Sequence, residues 1–260
     1  MKPNFFTKGD RSNPSVICVH GLMGSARNLY RVVQAIADAE YFVLAYDQRG
    51  HGHSPHGGPY TLDQLADDLF EFMDSQNIER AHLVGHSLGA RVCLRAAAKH
   101  FNRVDSLTML DAGTRPTDEG RDDVESVVYN IADSYASKAE AEQTLAAFPE
   151  RTKQFLLANL RDRDGRLTFI FDLAAIKQEL FESLKDDQSE LWTKVSCPTL
   201  VVRGDRSEYL PQKELERMQS LNPKARTAVI ANAGHWLHVD NFGDTTRAVI
   251  EFLNSVRNQT

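Results

Sequence analysis

Cysteine is scarce in this chain of 260 residues, which contains only Cys18, Cys93 and Cys197. An odd number of cysteines without a C-x-x-C pair argues against a disulfide framework and against a zinc site. The sequence also lacks any run of about 18 apolar residues, the length that spans a bilayer. Its first residues contain no apolar signal segment. We therefore expect a cytoplasmic protein with no membrane-spanning segment and no bound metal.

Clusters of positive charge are absent as well. The formal net charge is -6, and Lys and Arg form no long run. The composition therefore gives little support for nucleic-acid binding. The acidic excess lies between Gly113 and Glu190, and we interpret it as a solvated helical surface. Nothing in the composition distinguishes a monomer from a homodimer, and we expect one of these two states.

Short apolar runs alternate with helix-length amphipathic segments over most of the chain. Strand-like runs lie at 15–20, 41–46, 80–85 and 104–110. The region from about 117 to 192 is mainly helical and polar, and the alternation resumes with a strand at 198–203. Such alternation predicts an α/β fold, a mostly parallel sheet flanked by helices on both faces. We expect an α/β core of residues 1–112 and 194–260, with a helical cap of residues 113–193 inserted between two strands.

The segment Gly85-His86-Ser87-Leu88-Gly89 matches the pattern G-x-S-x-G. The pentapeptide alone is weak evidence, because a chain of this composition contains such a match by chance about one time in ten. It gains weight from its position between a strand and a helix, where a sharp turn exposes a nucleophilic serine. The two glycines fit this turn because a Cβ at either position would clash. The sequence thus predicts that Ser87 is a catalytic nucleophile.

A second glycine-rich turn, residues 20–24, follows the first clear strand. We expect the backbone N–H of Leu22 to pair with that of Leu88 as an oxyanion hole. Each such donor is typically worth about 3–4 kcal/mol in the transition state. The residues expected to line the adjoining substrate pocket are His20, Gly21, Met23, His86 and Trp236.

A histidine late in the chain, His235, follows the last predicted strand within Gly234-His235-Trp236. This is where the general base belongs in a hydrolase with the chain order serine, acid, histidine. His51, His53 and His56 lie in a glycine-rich loop and show H-x-H spacing. No cysteine or carboxylate cluster accompanies them, so we interpret them as loop residues rather than metal ligands.

Together these motifs resemble those of the α/β-hydrolase superfamily over nearly the whole chain. Within it the sequence is most similar to the small bacterial YbfF-type esterases. The stretch D-Q-R-G-H-G-H-S at 47–54 also carries the resemblance, and in relatives it is a structural loop. The resemblance implies an eight-stranded, mostly parallel sheet with a cap after the sixth strand. Because only about ten residues precede the first clear strand here, we expect the first one or two strands to be short or absent.

The acid of the catalytic triad departs from the common pattern of the superfamily. In most relatives an Asp follows the seventh strand, three residues after a Gly, but here that position is Ser207. A hydroxyl cannot stabilise an imidazolium as a carboxylate does. Asp111 ends the preceding strand at the same edge of the sheet, where YbfF-type esterases have an acid. We expect Asp111 to be the triad acid, with Glu208 or Asp205 as the alternatives.

The motifs and the resemblance imply a serine carboxylesterase that hydrolyses short- to medium-chain esters or thioesters through an acyl-enzyme, with no cofactor. A serine at the elbow argues against dehalogenases and epoxide hydrolases, which use an Asp there. The alternatives are a specialised C–C hydrolase or lyase, or a small-ligand receptor that keeps the triad. The negative charge of the cap does not favour the binding of anionic substrates such as acyl-CoA. The cap also contains the apolar residues Phe148, Phe155, Leu156, Phe169 and Phe171. We expect most of them to pack the cap against the sheet and the others to line an acyl site.

Overall fold

The structure is a computed structural model that describes residues 2–258, apart from the side chains of residues 119 and 121. Within them, the strands are β1 (Phe5–Lys8), β2 (Ser15–Val19), β3 (Phe42–Tyr46), β4 (Ala81–His86), β5 (Val104–Leu110), β6 (Ser134–Tyr135), β7 (Leu160–Arg163), β8 (Arg166–Phe169), β9 (Thr199–Gly204) and β10 (Arg226–Ile230). The helices are α1 (Tyr30–Asp38), α2 (Leu62–Ser75), α3 (Leu88–Lys99), α4 (Asp118–Asn130), α5 (Lys138–Thr144), α6 (Glu150–Ala158), α7 (Leu173–Ala175), α8 (Phe181–Ser183), α9 (Ser189–Lys194), α10 (Gln212–Leu221), α11 (Leu237–Asp240) and α12 (Phe242–Arg257). A π-helical turn (Ile176–Leu180) joins α7 to α8. None of the helices among these residues has the length and apolar composition needed to cross a bilayer.

The main sheet has seven strands in the order β1-β3-β2-β4-β5-β9-β10. All neighbouring pairs are parallel except β1 and β3. Every residue of β3, β4 and β9 is buried, as expected for parallel strands covered on both faces. One apolar cluster joins α1 and α12 to one face of the sheet. A larger cluster joins α2, α3 and the inserted segment to the other.

The main sheet has seven strands rather than the eight that the family resemblance implied, in line with the expectation that the first one or two strands are short or absent. A single strand, β1, precedes β2, so the inserted segment follows the fifth strand of this chain rather than the sixth. The strand before the insertion is nevertheless the expected one, at 104–110. The sequence pattern did not reveal β1 because it is four residues long and lies at the edge of the sheet.

Residues 113–193, which we call the cap segment, contain more extended structure than expected. A three-stranded antiparallel sheet, in the order β6-β8-β7, accompanies its helices. Asp164 and Gly165 have φ angles of 53° and 79° at the hairpin between β7 and β8. Such two-residue turns need a positive φ at both positions, which Asp and Gly tolerate. The pairing of this hairpin with β6 depends on contacts distant in sequence.

The carboxyl ends of the parallel strands position the candidate site. Ser87 follows β4, Asp111 follows β5, Ser207 lies shortly after β9 and His235 lies shortly after β10. These four strands, β4, β5, β9 and β10, are consecutive in the sheet. In open α/β sheets, loops at this edge form the ligand crevice.

Candidate active site

Ser87 occupies a strained turn between β4 and α3. Its φ and ψ are 53° and -118°, a conformation that costs a non-glycine residue about 1–3 kcal/mol. The Ser87 N–H donates to the Leu110 carbonyl at 3.0 Å, which holds the turn against β5. A Cβ on Gly85 would lie 2.3 Å from the Gly89 carbonyl oxygen, and one on Gly89 would lie 2.2 Å from the Val19 oxygen. Both glycines are therefore required by close backbone contacts, as the motif predicted.

Asp111 and His235 form a hydrogen bond although they are 124 residues apart. His235 Nδ1 lies 2.8 Å from Asp111 Oδ2, so the neutral imidazole donates from Nδ1 and leaves Nε2 free to accept a proton. Asp111 has no solvent exposure, and its carboxylate also accepts from the Gly204 N–H at 3.0 Å. Among residues 2–258 there is no hydrogen bond between His235 and the Ser87 hydroxyl. Catalytic hydrogen bonds are often long before substrate binds.

Ser207, at the usual position of the triad acid, donates its hydroxyl to Asp111 Oδ2 at 2.5 Å. Its oxygen accepts in turn from the Leu210 N–H at 3.2 Å. Sequence reasoning recognised that Ser207 cannot replace a carboxylate but did not foresee this contact. Because Asp111 arrives from β5 beside the usual acid position, a small hydroxyl residue fits there and adds a donor to its carboxylate.

The two alternative acids lie away from His235. Asp205 is exposed and accepts from the backbone N–H groups of Asn232 and Ala233, each at 3.0 Å. These bonds hold the pKa of Asp205 below its usual value and pin the loop that leads to His235. Glu208 is exposed. In the part of the chain that the structure describes, neither carboxylate bonds to His235, which favours Asp111 over both.

The candidate oxyanion donors lie beside Ser87. Leu88 is the first residue of α3, so its N–H has no acceptor within the helix. The helix dipole adds positive potential at this end. A Cβ on Gly21 would lie only 3.2 Å from Ser87 Cβ. The glycine thus lets the loop that carries Leu22 approach the nucleophile. Both leucines line cavities that also contain Ser87.

Several aromatic rings surround the candidate base. The rings of Tyr209 and His235 stack with their centroids 3.9 Å apart and an interplanar angle of 18°. His86 Nε2 donates to the His235 carbonyl at 2.9 Å, and burial lowers the pKa of His86 well below its usual value. His86 is therefore neutral and holds the backbone of the base. Tyr209 could not be identified from the sequence, because its contact with His235 is formed only by the fold.

Two cavities meet at Ser87, Leu22 and Tyr209. The small cavity has a volume of about 90 Å³ and includes Leu88, Arg91, Ala112, Arg115, Phe181 and Lys185 in its lining. The large cavity, of about 190 Å³, includes Gly21, Met23, His86, Phe148, Phe155, His235 and Trp236. Four of the five predicted pocket residues thus line the large cavity. Of the apolar cap residues, Phe148 and Phe155 line it too, whereas Leu156, Phe169 and Phe171 are buried in the core.

His20 is the predicted pocket residue that the structure places elsewhere. It has no solvent exposure, and within the described residues it lines neither cavity. Its Nε2 accepts from the Gln48 N–H at 3.0 Å, and its Nδ1 lies 2.8 Å from the Gly21 carbonyl oxygen. His20 therefore stabilises the loop that carries Leu22, because backbone groups contact both of its ring nitrogens.

The 47–54 stretch is tied down by its own polar groups. Asp47 accepts from the backbone N–H groups of Ala26 and His53 at 2.8 and 2.9 Å. Arg49 donates twice to Asp68, at 2.7 and 2.6 Å. His51 is buried whereas His53 is exposed. These contacts agree with a structural loop.

Comparison with known proteins gives the family. The family model described as "alpha/beta hydrolase fold" matches residues 14–242. The chain is 30% identical to a zebrafish (Danio rerio) protein named sn-1-specific diacylglycerol lipase ABHD11, over 96% of this chain and 80% of that protein. It is 27% identical to esterase YbfF of Escherichia coli strain K12, over 95% and 96%.

Solved structures agree with this family. The structure titled E-2-(acetamidomethylene)succinate hydrolase superposes with a TM-score of 0.86 at 26% identity, covering 97% of this chain and 95% of that one. A marine microorganism esterase gives a TM-score of 0.84 at 27% identity, covering 96% and 99%. The family model and both solved structures match nearly the full length of the chain, and the strained serine turn lies at the carboxyl edge of the sheet. The chain therefore belongs to the α/β-hydrolase fold family.

Proposed function

We propose that this protein is a serine esterase in which Ser87 is the nucleophile, His235 the general base and Asp111 the triad acid. The observation that carries the proposal is the 2.8 Å contact between His235 Nδ1 and the buried Asp111 carboxylate, with His235 and Ser87 lining the same cavity. The relatives named esterase or lipase support a hydrolase that acts on esters.

The proposed reaction proceeds through an acyl-enzyme. His235 Nε2 takes the Ser87 proton as the hydroxyl attacks the ester carbonyl. The N–H groups of Leu22 and Leu88 stabilise the developing oxyanion. His235 then donates this proton to the leaving alcohol and later activates the water that releases the acid. Asp111 fixes the imidazole tautomer and stabilises the imidazolium.

The small volumes of the two cavities favour short- to medium-chain esters or thioesters. We propose that residues 113–193 act as a cap over a catalytic core of residues 1–112 and 194–260. Cap residues contribute to both cavities: Phe148 and Phe155 to the large one, Phe181 and Lys185 to the small one. Substitutions in this segment should therefore alter substrate preference more than the chemical step.

The direct test is hydrolysis of p-nitrophenyl esters from acetate to palmitate by the wild type and by Ser87→Ala. We expect turnover of the shorter esters and a loss of several orders of magnitude in kcat for the variant, with little change in thermal stability, because alanine keeps the Cβ and therefore the backbone strain of the turn. Equal rates for both proteins would exclude Ser87 as the nucleophile. Absence of turnover with every ester would instead favour a specialised C–C hydrolase or a ligand receptor.

A further inference from the structure

We propose that the acyl part of the substrate ends in a carboxylate, which binds in the small cavity beside Arg91, Arg115 and Lys185. The inference rests on the proposed esterase function. It narrows the substrate from esters in general to mono-esters of short dicarboxylic acids.

The position of His235 assigns the two halves of the ester. A general acid must reach the oxygen of the leaving alcohol, and His235 lines the large cavity. Among the described residues that line the small cavity, Ser87 and Leu88 are present but His235 is not. The alcohol therefore extends into the large cavity, among Phe148, Phe155 and Trp236, and the acyl chain enters the small one.

Arg91 is a buried cation that lines the small cavity, and none of the carboxylates that the structure describes pairs with it directly. It lies one helical turn after Ser87 and is only 7% exposed. Its terminal nitrogens donate to the backbone carbonyls of Leu184 and Asp186, and its Nε has no partner among residues 2–258. The Asp186 carboxylate lies 3.3 Å from Arg95 instead. Burial lowers the pKa of Arg91 to about 10, so the group stays charged at neutral pH while its charge is poorly compensated.

Arg115 adds further positive charge to the same cavity. Its Nε lies 3.1 Å from a Glu214 carboxylate oxygen. Glu214 also pairs with Arg217 at 2.7 Å, so one carboxylate serves two guanidinium groups. Lys185 pairs with Glu182, but both are about half exposed, and such pairs compensate charge weakly.

The lining of the small cavity contains little negative charge. Within the described residues its single carboxylate is Asp111, which is already engaged by His235 and Ser207. The lining of the large cavity, by contrast, contains no described Lys or Arg. Buried charges in proteins are normally paired, and an incoming carboxylate would supply the missing anion. Charge therefore distinguishes the two cavities.

The size of the small cavity limits the length of the acid. The small cavity, at about 90 Å³, has less than half the volume of the large one, at about 190 Å³, and it lies well below the roughly 300–1,000 Å³ of pockets that hold drug-sized ligands. A chain of four or five carbons that ends in a carboxylate is thus a better fit than a long acyl chain. Arginine guanidinium is also well matched to a carboxylate, because it donates two parallel hydrogen bonds.

The test compares three benzyl esters of equal chain length: monobenzyl glutarate, benzyl valerate and the benzyl ester of glutaric acid monoamide. Release of benzyl alcohol gives kcat/KM for each. We expect the carboxylate to raise kcat/KM at least about tenfold over both neutral esters, as one charge-assisted contact does. Faster hydrolysis of the neutral esters would overturn the carboxylate site while leaving the esterase function intact. No turnover of any ester would overturn both.

Variants identify the residues that provide the charge. Arg91→Gln and Arg115→Gln should each lower the ratio of kcat/KM for the glutarate to that for the valerate by about tenfold. The ratio is independent of the fraction of folded enzyme, and the Arg115 side chain is 49% exposed, so this variant should fold. Arg163→Gln, at an exposed position of the β7–β8 hairpin, is the matched control and should leave the ratio unchanged. An unchanged ratio in both cavity variants would refute the assignment.

A competition experiment separates a carboxylate site from a general anion site. Free glutarate should inhibit benzyl valerate hydrolysis competitively, and inorganic phosphate at the same concentration and ionic strength should not. Stronger inhibition by phosphate would contradict the assignment to a carboxylate.

Discussion

At the scale of single residues, three donors converge on one carboxylate. The Asp111 carboxylate accepts hydrogen bonds from His235 Nδ1, the Ser207 hydroxyl and the Gly204 N–H at 2.8, 2.5 and 3.0 Å. Hydrogen bonds to a charged group are each worth about 1.5–3 kcal/mol. They also keep the carboxylate oriented toward the imidazole. Ser207 thus contributes to the site through Asp111 rather than by contact with substrate.

Removing the Ser207 hydroxyl should weaken catalysis without abolishing it. We expect Ser207→Ala to lower kcat about tenfold with little change in KM, because one of three donors to Asp111 is lost. Ser207→Thr keeps a hydroxyl and should retain more activity than the alanine variant. Steady-state kinetics on one ester measure the effect. A wild-type kcat for Ser207→Ala would show that this hydrogen bond is not needed.

The candidate site residues that could be predicted from the sequence are those that belong to local motifs. Ser87 and its glycines are recognisable because the turn demands small residues at fixed spacing. His235 follows from its place after a strand. Tyr209 and the role of Ser207 could not be predicted, since a ring stack and a side-chain hydrogen bond between distant loops leave no local pattern. His20 was assigned to the pocket because its neighbours are there, but its ring is turned into the core.

At the scale of elements, the strand–helix junction at Ser87 depends on how closely α3 approaches β2. A Cβ on Gly89 would meet the Val19 and His20 carbonyl oxygens at 2.2 and 2.7 Å. Backbone atoms cannot move aside as a flexible side chain does. The start of α3, with Ser87 and Leu88, would have to shift instead.

We therefore expect Gly89→Ala to destabilise the protein by about 3 kcal/mol and to lower kcat further than the loss of folded protein explains. Gly243→Ala is the matched control, because its added Cβ has no atom within 4 Å. It lies in the first turn of α12 and should leave stability unchanged or slightly raised. Urea unfolding gives both values. Similar unfolding midpoints for the two variants would contradict the proposed clash.

The parallel core of the sheet could be predicted from the sequence, whereas the edge strand β1 and the small sheet of the cap segment could not. Buried strands followed by amphipathic helices give a strong periodic signal, and the predicted strands at 104–110 and 198–203 are confirmed within a residue or two. Strand β1 is short and half exposed, and β6 has only two residues. Such strands are fixed by pairing with distant partners rather than by their own pattern.

At the scale of the whole molecule, net charge and local charge differ. The cap segment is acidic overall, so we expected that its charge would not favour the binding of anionic substrates. The structure nevertheless brings Arg115 and Lys185 of this segment to the small cavity, beside Arg91 of the core. A sum of charges along a segment does not predict the charge of a cavity, because folding selects which side chains face inward.

Buried histidines should make the stability of the whole molecule depend on pH. Burial lowers the pKa of His51 to about 3 and that of His238 to about 4. Both are neutral when folded, so their contribution is full above the unfolded pKa of about 6.5. As the pH falls below that value, the unfolded chain binds protons that the folded protein excludes. Stability should then decline by about 1.4 kcal/mol per pH unit for each histidine, until the folded pKa is reached.

The measurement is Tm between pH 7 and about 4, for the wild type and His51→Asn. Asparagine keeps a donor for the Arg49 carbonyl, which lies 2.9 Å from His51 Nδ1, but does not titrate. We expect the variant to show a shallower decline in Tm, and the exposed His53→Asn to follow the wild type. The same slope for His51→Asn as for the wild type would refute the contribution of His51.

The central claim is that the triad acid comes from the end of β5, and kcat of Asp111→Asn on a short p-nitrophenyl ester tests it most directly. Asparagine preserves the size of the side chain but cannot hold the imidazole in the donating tautomer or stabilise its charge. We expect kcat to fall by about 10³–10⁴, while Glu208→Gln remains within about threefold of the wild type. A near wild-type kcat for Asp111→Asn, with a large loss for Glu208→Gln, would contradict the claim and move the acid to the loop after β9.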